Sequence, residues 1–203
     1  MEDKMKYIIP IIILSFVLLS CSKEDEETQT AAEKAAAAQL VALEGTWKTA
    51  CYTNSDNTSN INTLTFAGNA LTVKEEEHSD TSCATDYELN EENFNTLSIG
   101  NAVTFVSGGT GHYFTMKVVS SKRTPQVATL VTAYNILSAC GYSDWVLNTE
   151  TDTTGKTCVS TTYGAFGSTL YGLYLLDGNN LYPDKASSHY PSSVSTVNAY
   201  VKQ

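Results

Sequence analysis

Apolar and polar residues alternate along most of the chain after residue 44, and this period of two is typical of β-strands with one buried face. Two tight turns interrupt the alternation, at Gly68-Asn69 and at Asp177-Gly178, and each predicts a β-hairpin because such residues tolerate positive φ. The predicted strands and hairpins lie in residues 45–54, 61–79, 83–89, 102–107, 112–119, 168–184 and 194–202.

One segment changes to helical spacing. In residues 124–141, apolar side chains recur every three or four positions, which predicts one amphipathic helix with its apolar face on the sheet. Thr124 is expected to cap this helix, Pro125 to occupy its first position and Gly141 to lie just beyond its end. The apolar positions are Val127, Leu130, Val131, Tyr134 and Leu137.

About eight or nine short strands and one helix predict a mainly β fold. We expect a single antiparallel up-and-down β-barrel of about eight strands, with a β-sandwich as the second choice. Residues 44–203 show no break in composition and no repeat, so they are expected to form one domain. Thr, Ser, Asn, Tyr and Val are abundant there, which is typical of antiparallel sheets with one face in water.

The first 20 residues have the features of a secretory signal. Two lysines precede an apolar run in residues 7–19, which is shorter than the roughly 20 residues that a membrane span needs. Residues 18–21 (LLSC) resemble the lipobox of bacterial lipoproteins, and the resemblance implies cleavage before Cys21 and acylation of that cysteine. An uncleaved N-terminal membrane anchor is the alternative. Two or more acyl chains would attach the protein stably to a membrane.

An acidic run follows the cysteine. Residues 22–27 (SKEDEE) resemble the surface-export signal of Bacteroidetes lipoproteins and lack the aspartate that, in enteric bacteria, retains lipoproteins at the inner membrane. The resemblance implies the outer membrane, facing the periplasm or the cell surface, and a solvated spacer is the alternative. Residues 28–44 are rich in helix formers, with Gly45 placed as a C-terminal cap. We expect residues 21–43 to be a tether that becomes ordered near residue 40.

Four cysteines remain for the folded domain: Cys51, Cys83, Cys140 and Cys158. Export from the cytoplasm permits disulfides, and four cysteines allow three pairings. We predict Cys51–Cys83 and Cys140–Cys158, because local pairing closes shorter loops. A zinc site and free thiols are the alternatives. Zinc is disfavoured because the chain has no CxxC pair and its three histidines lie far apart.

The charge of the chain limits its partners. Twelve Lys and Arg against 22 Asp and Glu give a net charge of −10. Nucleic acids and anionic lipid surfaces both require clustered cations, so neither is expected to bind. Membrane attachment is expected to come from the acyl chains alone.

Two short segments are candidates for binding chemistry. Residues 74–80 (KEEEHSD) have oxygen ligands for a divalent cation, but Glu75 and Glu77 point one way in a strand while Glu76 and His78 point the other. A charged edge strand is the favoured interpretation. Residues 107–112 (SGGTGH) lack phosphate-loop spacing and predict a hairpin loop. No GxSxG or HExxH motif occurs, so we expect no catalytic residues, no metal site and no cofactor.

Residues 43–49 (LEGTWKT) resemble the Gly-x-Trp opening of lipocalins and related calycin barrels, with Gly45 and Trp47 in the motif positions. The resemblance implies that Trp47 lies at the closed end of the barrel, after a short N-terminal helix. It also implies a late basic side chain stacked on the tryptophan. Lys202 is the expected substitute there, because the only arginine of the chain, Arg123, lies in its middle.

Three functional classes follow from this fold. The first is a barrel that binds a small apolar or amphipathic ligand in an open cavity lined by Tyr, Phe, Leu and Val. The second is a surface-displayed adhesion, inhibitor or structural module, which predicts a filled barrel, an exposed aromatic patch and a protein partner that the sequence does not identify. The third is an enzyme, which no motif supports. Analogy with lipocalins favours the first.

Overall fold

The computed structural model describes residues 30–105 and 109–203. The signal peptide predicted in residues 1–20, the lipidation site at Cys21 and the acidic run in residues 22–27 lie outside the described residues.

Two α-helices, one 3₁₀ turn and twelve strands follow one another in the described residues. The helical elements are α1 (Ala31–Leu43), α2 (Ala128–Leu137) and the 3₁₀ turn (Ala139–Gly141). The strands are β1 (Gly45–Thr49), β2 (Tyr52–Thr53), β3 (Ser59–Ala67), β4 (Ala70–His78), β5 (Asp86–Thr104), β6 (Thr110–Pro125), β7 (Thr151–Asp152), β8 (Thr157–Cys158), β9 (Thr161–Thr162), β10 (Thr169–Asp177), β11 (Asn180–Ala186) and β12 (Tyr200–Lys202).

Eight of these strands form a closed antiparallel barrel in the order β1-β3-β4-β5-β6-β10-β11-β12. The ring closes because β1 pairs with β3 on one side and with β12 on the other. Each strand lies beside its neighbour along the chain, as in an up-and-down barrel, and closure removes the exposed sheet edges. The predicted single β-barrel is confirmed, and the chain does not form the sandwich.

Both predicted hairpin turns are present, but two predicted strands are one. Gly68 and Gly178 have φ of +59° and +57° between paired strands, as their turn dipeptides predict. Residues 86–89 and 102–104 of the two strands predicted in residues 83–89 and 102–107 both belong to β5, which has 19 residues, and residues 106 and 107 lie outside the described residues. The pairing of β5 with β6 shifts register at three places. Such irregularities let a strand bend around a barrel without ending, so the polar residues between the two predicted strands do not interrupt it.

The predicted start of the helix is wrong. Thr124 and Pro125 belong to β6 and pair with Leu89 and Glu88 of β5, and α2 begins only at Ala128. Sheet pairing therefore takes the place of helix capping there. The predicted last strand, in residues 194–202, is also shortened to Tyr200–Lys202.

The N-terminal helix α1 packs against one end of the barrel. Thr30 and Glu33 form a reciprocal capping box at its start, which satisfies otherwise unpaired backbone donors. Leu43 is 1% exposed in the barrel core, and Leu40 packs beside it, whereas Val41 is 74% exposed. The C-terminal cap is Glu44 and not the expected Gly45, which opens β1 with φ of +108°.

Both disulfides join the pairs of cysteines that the sequence predicts. Cys51 is bonded to Cys83 and Cys140 is bonded to Cys158. The second bond lies in a small apolar cluster under α2, separate from the barrel core. Its buried members are Leu130, Tyr134, Ala139, Cys140, Trp145 and Cys158.

Candidate functional site

The inner face of β4 changes from apolar to acidic along its length. Every second side chain points into the barrel, so β4 contributes first Leu71 and Val73 and then Glu75 and Glu77. The antiparallel strand β5 places Glu88 opposite Glu77. The barrel interior therefore has an apolar half near α1 and a charged half beyond it.

Trp47 lies at the end of the barrel that α1 covers. It is 1% exposed, and its Nε1 donates a hydrogen bond of 2.6 Å to the carbonyl oxygen of Leu43. Lys202 pairs with Trp47 across β1 and β12, and its Nζ lies 5.1 Å from the centroid of the indole ring. The same Nζ donates to the carbonyl oxygen of Ala42 at 3.2 Å. Lys202 thus takes the position that the lipocalin resemblance implies for a late basic side chain.

The apolar half of the barrel contains a partly open cavity of about 170 Å³, called here the apolar cavity. Side chains of α1 and of the barrel strands β3, β4, β5, β6, β10, β11 and β12 surround it. Tyr174 of β10 donates a hydrogen bond of 3.0 Å to Gln39 of α1. Its lining comprises Leu43, Leu64, Phe66, Leu71, Val73, Leu97, Phe114, Met116, Tyr174, Leu181, Pro183, Asp184, Lys185 and Tyr200.

A second cavity of about 660 Å³, called here the charged chamber, lies next to the first. Val73 and Lys185 line both spaces, so the two are neighbours. The β8–β9 hairpin and the residues after it contribute one wall of the chamber. Its lining comprises Val73, Glu75, Glu77, Asn90, Glu92, Arg123, Thr161, Thr162, Tyr163, Gly164, Leu170, Lys185, Ala186 and Ser187.

Two carboxylates of the barrel interior have cationic partners. Glu88 is 1% exposed and forms an ion pair with Arg123, and it also accepts a hydrogen bond of 2.8 Å from the Tyr134 hydroxyl. Glu92 forms an ion pair with Lys185. Arg123 and Lys185 are therefore already paired where they line the chamber.

Two further carboxylates form no ion pair among the described residues: Glu75 and Glu77. Glu75 accepts a hydrogen bond of 2.5 Å from Asn60 Nδ2. Burial raises the pKa of the Glu75 carboxyl, and it outweighs the hydrogen bond from Asn60 and the charge of Lys185, which lower the pKa, while the charges of Glu92 and Glu88 raise it further. Burial also raises the pKa of Glu77, with a further contribution from Glu88. Both carboxylates are thus less stable in their charged form than they would be in water.

Asn90 adds an unused acceptor to the same wall. It lies directly opposite Glu75 on the neighbouring strand and lines the chamber. Its Oδ1 is buried and accepts no hydrogen bond within the described residues. Such buried acceptors are uncommon in folded proteins and call for a partner.

The charged-edge interpretation of residues 74–80 is wrong. The strand β4 pairs with β3 and with β5, so it has no free edge. Glu75 and Glu77 share a face, as predicted, but that face is the barrel interior. The sequence interpretation did not include Glu88, Asn90 and Glu92, although their spacing of two ahead of the buried Phe94 marks one face of a strand.

The other candidate segments show no binding geometry in the described residues. His78 lies on the opposite face from Glu77 and is 3.4 Å from Asp86. Residues 30–105 and 109–203 contain no group of three or more His, Cys, Asp or Glu side chains placed to share a metal ion. Of the hairpin loop predicted in residues 107–112, residues 107 and 108 lie outside the described residues, Gly109 directly precedes β6 and Gly111 is the second residue of β6.

Within the described part of the chain, neither helix has the length and apolar character required to cross a membrane. Comparison of the sequence with protein-family models and with curated proteins finds no match.

Proposed function

We propose that the protein is a lipid-anchored lipoprotein of the bacterial cell envelope whose barrel binds a small amphipathic molecule and catalyses no reaction. The observation that carries the binding proposal is the adjacency of the apolar cavity and the charged chamber inside one closed barrel. A ligand with an apolar part and a polar head would place its apolar part in the apolar cavity and its head in the charged chamber.

The sizes of the two spaces support a small ligand. An engineered apolar cavity of about 150 Å³ binds benzene, so the apolar cavity, at about 170 Å³, accommodates a group of that size. The charged chamber, at about 660 Å³, falls within the roughly 300–1,000 Å³ of ordinary ligand pockets. A long acyl chain does not fit the apolar cavity.

Native mass spectrometry of the protein purified from its own host tests the binding proposal. We expect an additional mass that dissociates on denaturation. Val73→Phe, which places a larger side chain at the junction of the two spaces, should abolish the added mass. Val201→Phe is the matched control, because Val201 is 43% exposed and pairs with the outward-facing Lys48. Equal ligand masses in both variants would contradict the proposal.

The proposed anchor rests on the lipobox-like residues 18–21 and on the acidic spacer that follows. Mass spectrometry of the mature N terminus should find acyl chains on Cys21. Cys21→Ser should release the protein from the outer-membrane fraction. An N terminus without acyl mass, or a serine variant that stays in the membrane fraction, would contradict the anchor without affecting the binding proposal.

One observation favours an interaction module as the second candidate. Four apolar side chains are exposed around the end of α2, where Asn135 holds Trp145 and the residues after it through two hydrogen bonds. They are Ile136, Leu137, Val146 and Leu147. Tyr190, which is 39% exposed, also packs against Tyr113 and Tyr171 on the outer face of the barrel. The barrel is not filled, however, because it contains the apolar cavity and the charged chamber, so ligand binding is the stronger proposal.

A further inference from the structure

We propose that the polar head of the ligand is an organic primary ammonium group, held by Glu75, Glu77 and Asn90, and that its apolar part extends past Val73 into the apolar cavity. This inference rests on the proposed ligand binding and adds the charge and chemical class of the ligand.

Carboxylates outnumber cations around the charged chamber. Four carboxylates, from Glu75, Glu77, Glu88 and Glu92, lie on the inner faces of β4 and β5. The two cations there are Arg123 and Lys185, each in an ion pair with one carboxylate. These four negative and two positive charges leave a net charge of −2, which resides on Glu75 and Glu77. Asp184, which lines the apolar cavity from β11, is exposed and does not belong to this group.

The environment of these two carboxylates favours a cation. Both are partly buried and form no ion pair among the described residues, and a carboxylate removed from water without an opposite charge is costly. An anionic ligand would add a third negative charge to the same wall. A positively charged head group would instead offset the desolvation of both carboxylates, because opposite charges attract more strongly away from water.

The unused acceptor of Asn90 points to a head group that donates several hydrogen bonds. Asn90 lies across the strand pair from Glu75, where directly opposite side chains have Cβ atoms about 5 Å apart. Its buried Oδ1 has no partner among the described residues. Glu75, Glu77 and Asn90 together offer three acceptor side chains, and a primary ammonium has three N–H donors.

The position of Val73, at the junction of the two spaces, indicates how the ligand is oriented. It precedes Glu75 on the same face of β4 and lines both spaces. A head group at Glu75 therefore has its apolar substituent beside Val73 and within reach of Leu71. A phenyl group matches the size of the apolar cavity, so a short arylalkyl amine is the simplest member of the proposed class.

Three probes with one phenyl group and different charges test the inference. Isothermal titration calorimetry would measure 2-phenylethylamine, 2-phenylethanol and 3-phenylpropanoate against the full acylated chain in phospholipid nanodiscs, with empty nanodiscs as the blank. We expect the amine to bind at least about tenfold more tightly than the alcohol, and the carboxylate to bind more weakly still, because hydrogen bonds to charged groups are the stronger ones.

Substitutions of the two carboxylates test whether Glu75 and Glu77 bind the ammonium group. Glu75→Gln and Glu77→Gln should each weaken amine binding about tenfold or more and leave alcohol binding unchanged. Glu76→Gln is the matched control, since Glu76 lies between them on the outer face and pairs with Lys48 and Lys74 at 3.6 and 3.1 Å. It should not change the affinity for the amine.

The outcomes separate this inference from the proposed function. Equal affinities for all three probes, or amine binding that survives both Gln substitutions, would overturn the cationic head group and leave ligand binding intact. If no probe binds while the host protein carries a ligand that Val73→Phe removes, the ligand class is wrong and the function stands. If no probe binds and no host ligand is found, both proposals fail.

Discussion

Replacing Arg123 by methionine should strongly destabilise the protein, because it leaves a buried carboxylate without its cation. Glu88 is 1% exposed, and its carboxylate is shared between Arg123 and the Tyr134 hydroxyl. The Arg123 side chain is itself only 14% exposed. Methionine retains most of the apolar volume of arginine and removes the charge, so the variant removes the ion pair and the cation–π contacts of Arg123 while keeping most of its packing.

The expected loss follows from the burial of the pair. Removing one partner of a buried ion pair costs about 3–5 kcal/mol. Arg123 also lies 5.2 Å from the ring centroid of Tyr134 and 5.9 Å from that of Tyr163, and each cation–π contact contributes about 0.5–1 kcal/mol. We expect a total of about 4–7 kcal/mol, a large share of the roughly 5–15 kcal/mol that stabilises an ordinary domain.

Urea denaturation followed by tryptophan fluorescence measures this loss, because Trp47 and Trp145 are both buried. Lys122→Met is the control on the adjacent residue. Its Nζ pairs with Glu150 at 2.7 Å, but the two side chains are 33% and 51% exposed, so we expect a loss of no more than about 1 kcal/mol.

A double-mutant cycle separates the ion pair from simple loss of packing. Glu88→Gln made in the Arg123→Met background removes the unpaired charge and should recover part of the stability, because replacing both members of a buried pair is often nearly neutral. The reasoning is refuted if Arg123→Met costs less than about 1 kcal/mol, or if the losses of the two single variants simply add.

Two further predictions concern the barrel interior. Because burial raises the pKa of Glu75 and Glu77 in the folded protein, folding stability should fall as pH rises from about 4.5 through the raised values. The variant that combines Glu75→Gln with Glu77→Gln should therefore gain about 0.5–2 kcal/mol of folding stability at pH 7.5 and less at pH 5, as measured by thermal melts. An equal gain in stability at the two pH values would contradict this prediction. Gly172→Ala should cost about 1–3 kcal/mol, because its Cβ would lie 2.0 Å from the Phe114 ring, whereas Gly100→Ala, at 3.5 Å from the nearest atom, should cost much less in urea titrations.

Local signals in the sequence predicted local features of the fold. Alternation predicted the strands on either side of Gly68 and Gly178, because side-chain direction in a strand and the φ of a turn residue depend on a few neighbouring residues. The contact of Lys202 with the ring of Trp47, at the end of the barrel that α1 covers, also followed from a short motif and its resemblance.

Features that depend on strand pairing were not predictable in this way. The predicted cap at Thr124 was consistent with helix chemistry, but pairing with β5 extended β6 through Pro125 and delayed the helix. The length of β5 likewise depends on register shifts against β6, which are properties of two strands and are not encoded in either one alone.

The candidate site also combines a feature that the local sequence predicts with features that depend on the tertiary structure. The sequence by itself determined that Glu75 and Glu77 share a face, because their spacing is two residues along a strand. Only the tertiary structure decided that this face is the interior of a barrel, because closure requires β1 to pair with both β3 and β12. Pairing of β5 with β4 and with β6 also brings Asn90 opposite Glu75 and Arg123 against Glu88, contacts between residues 15 to 35 positions apart that no local pattern specifies.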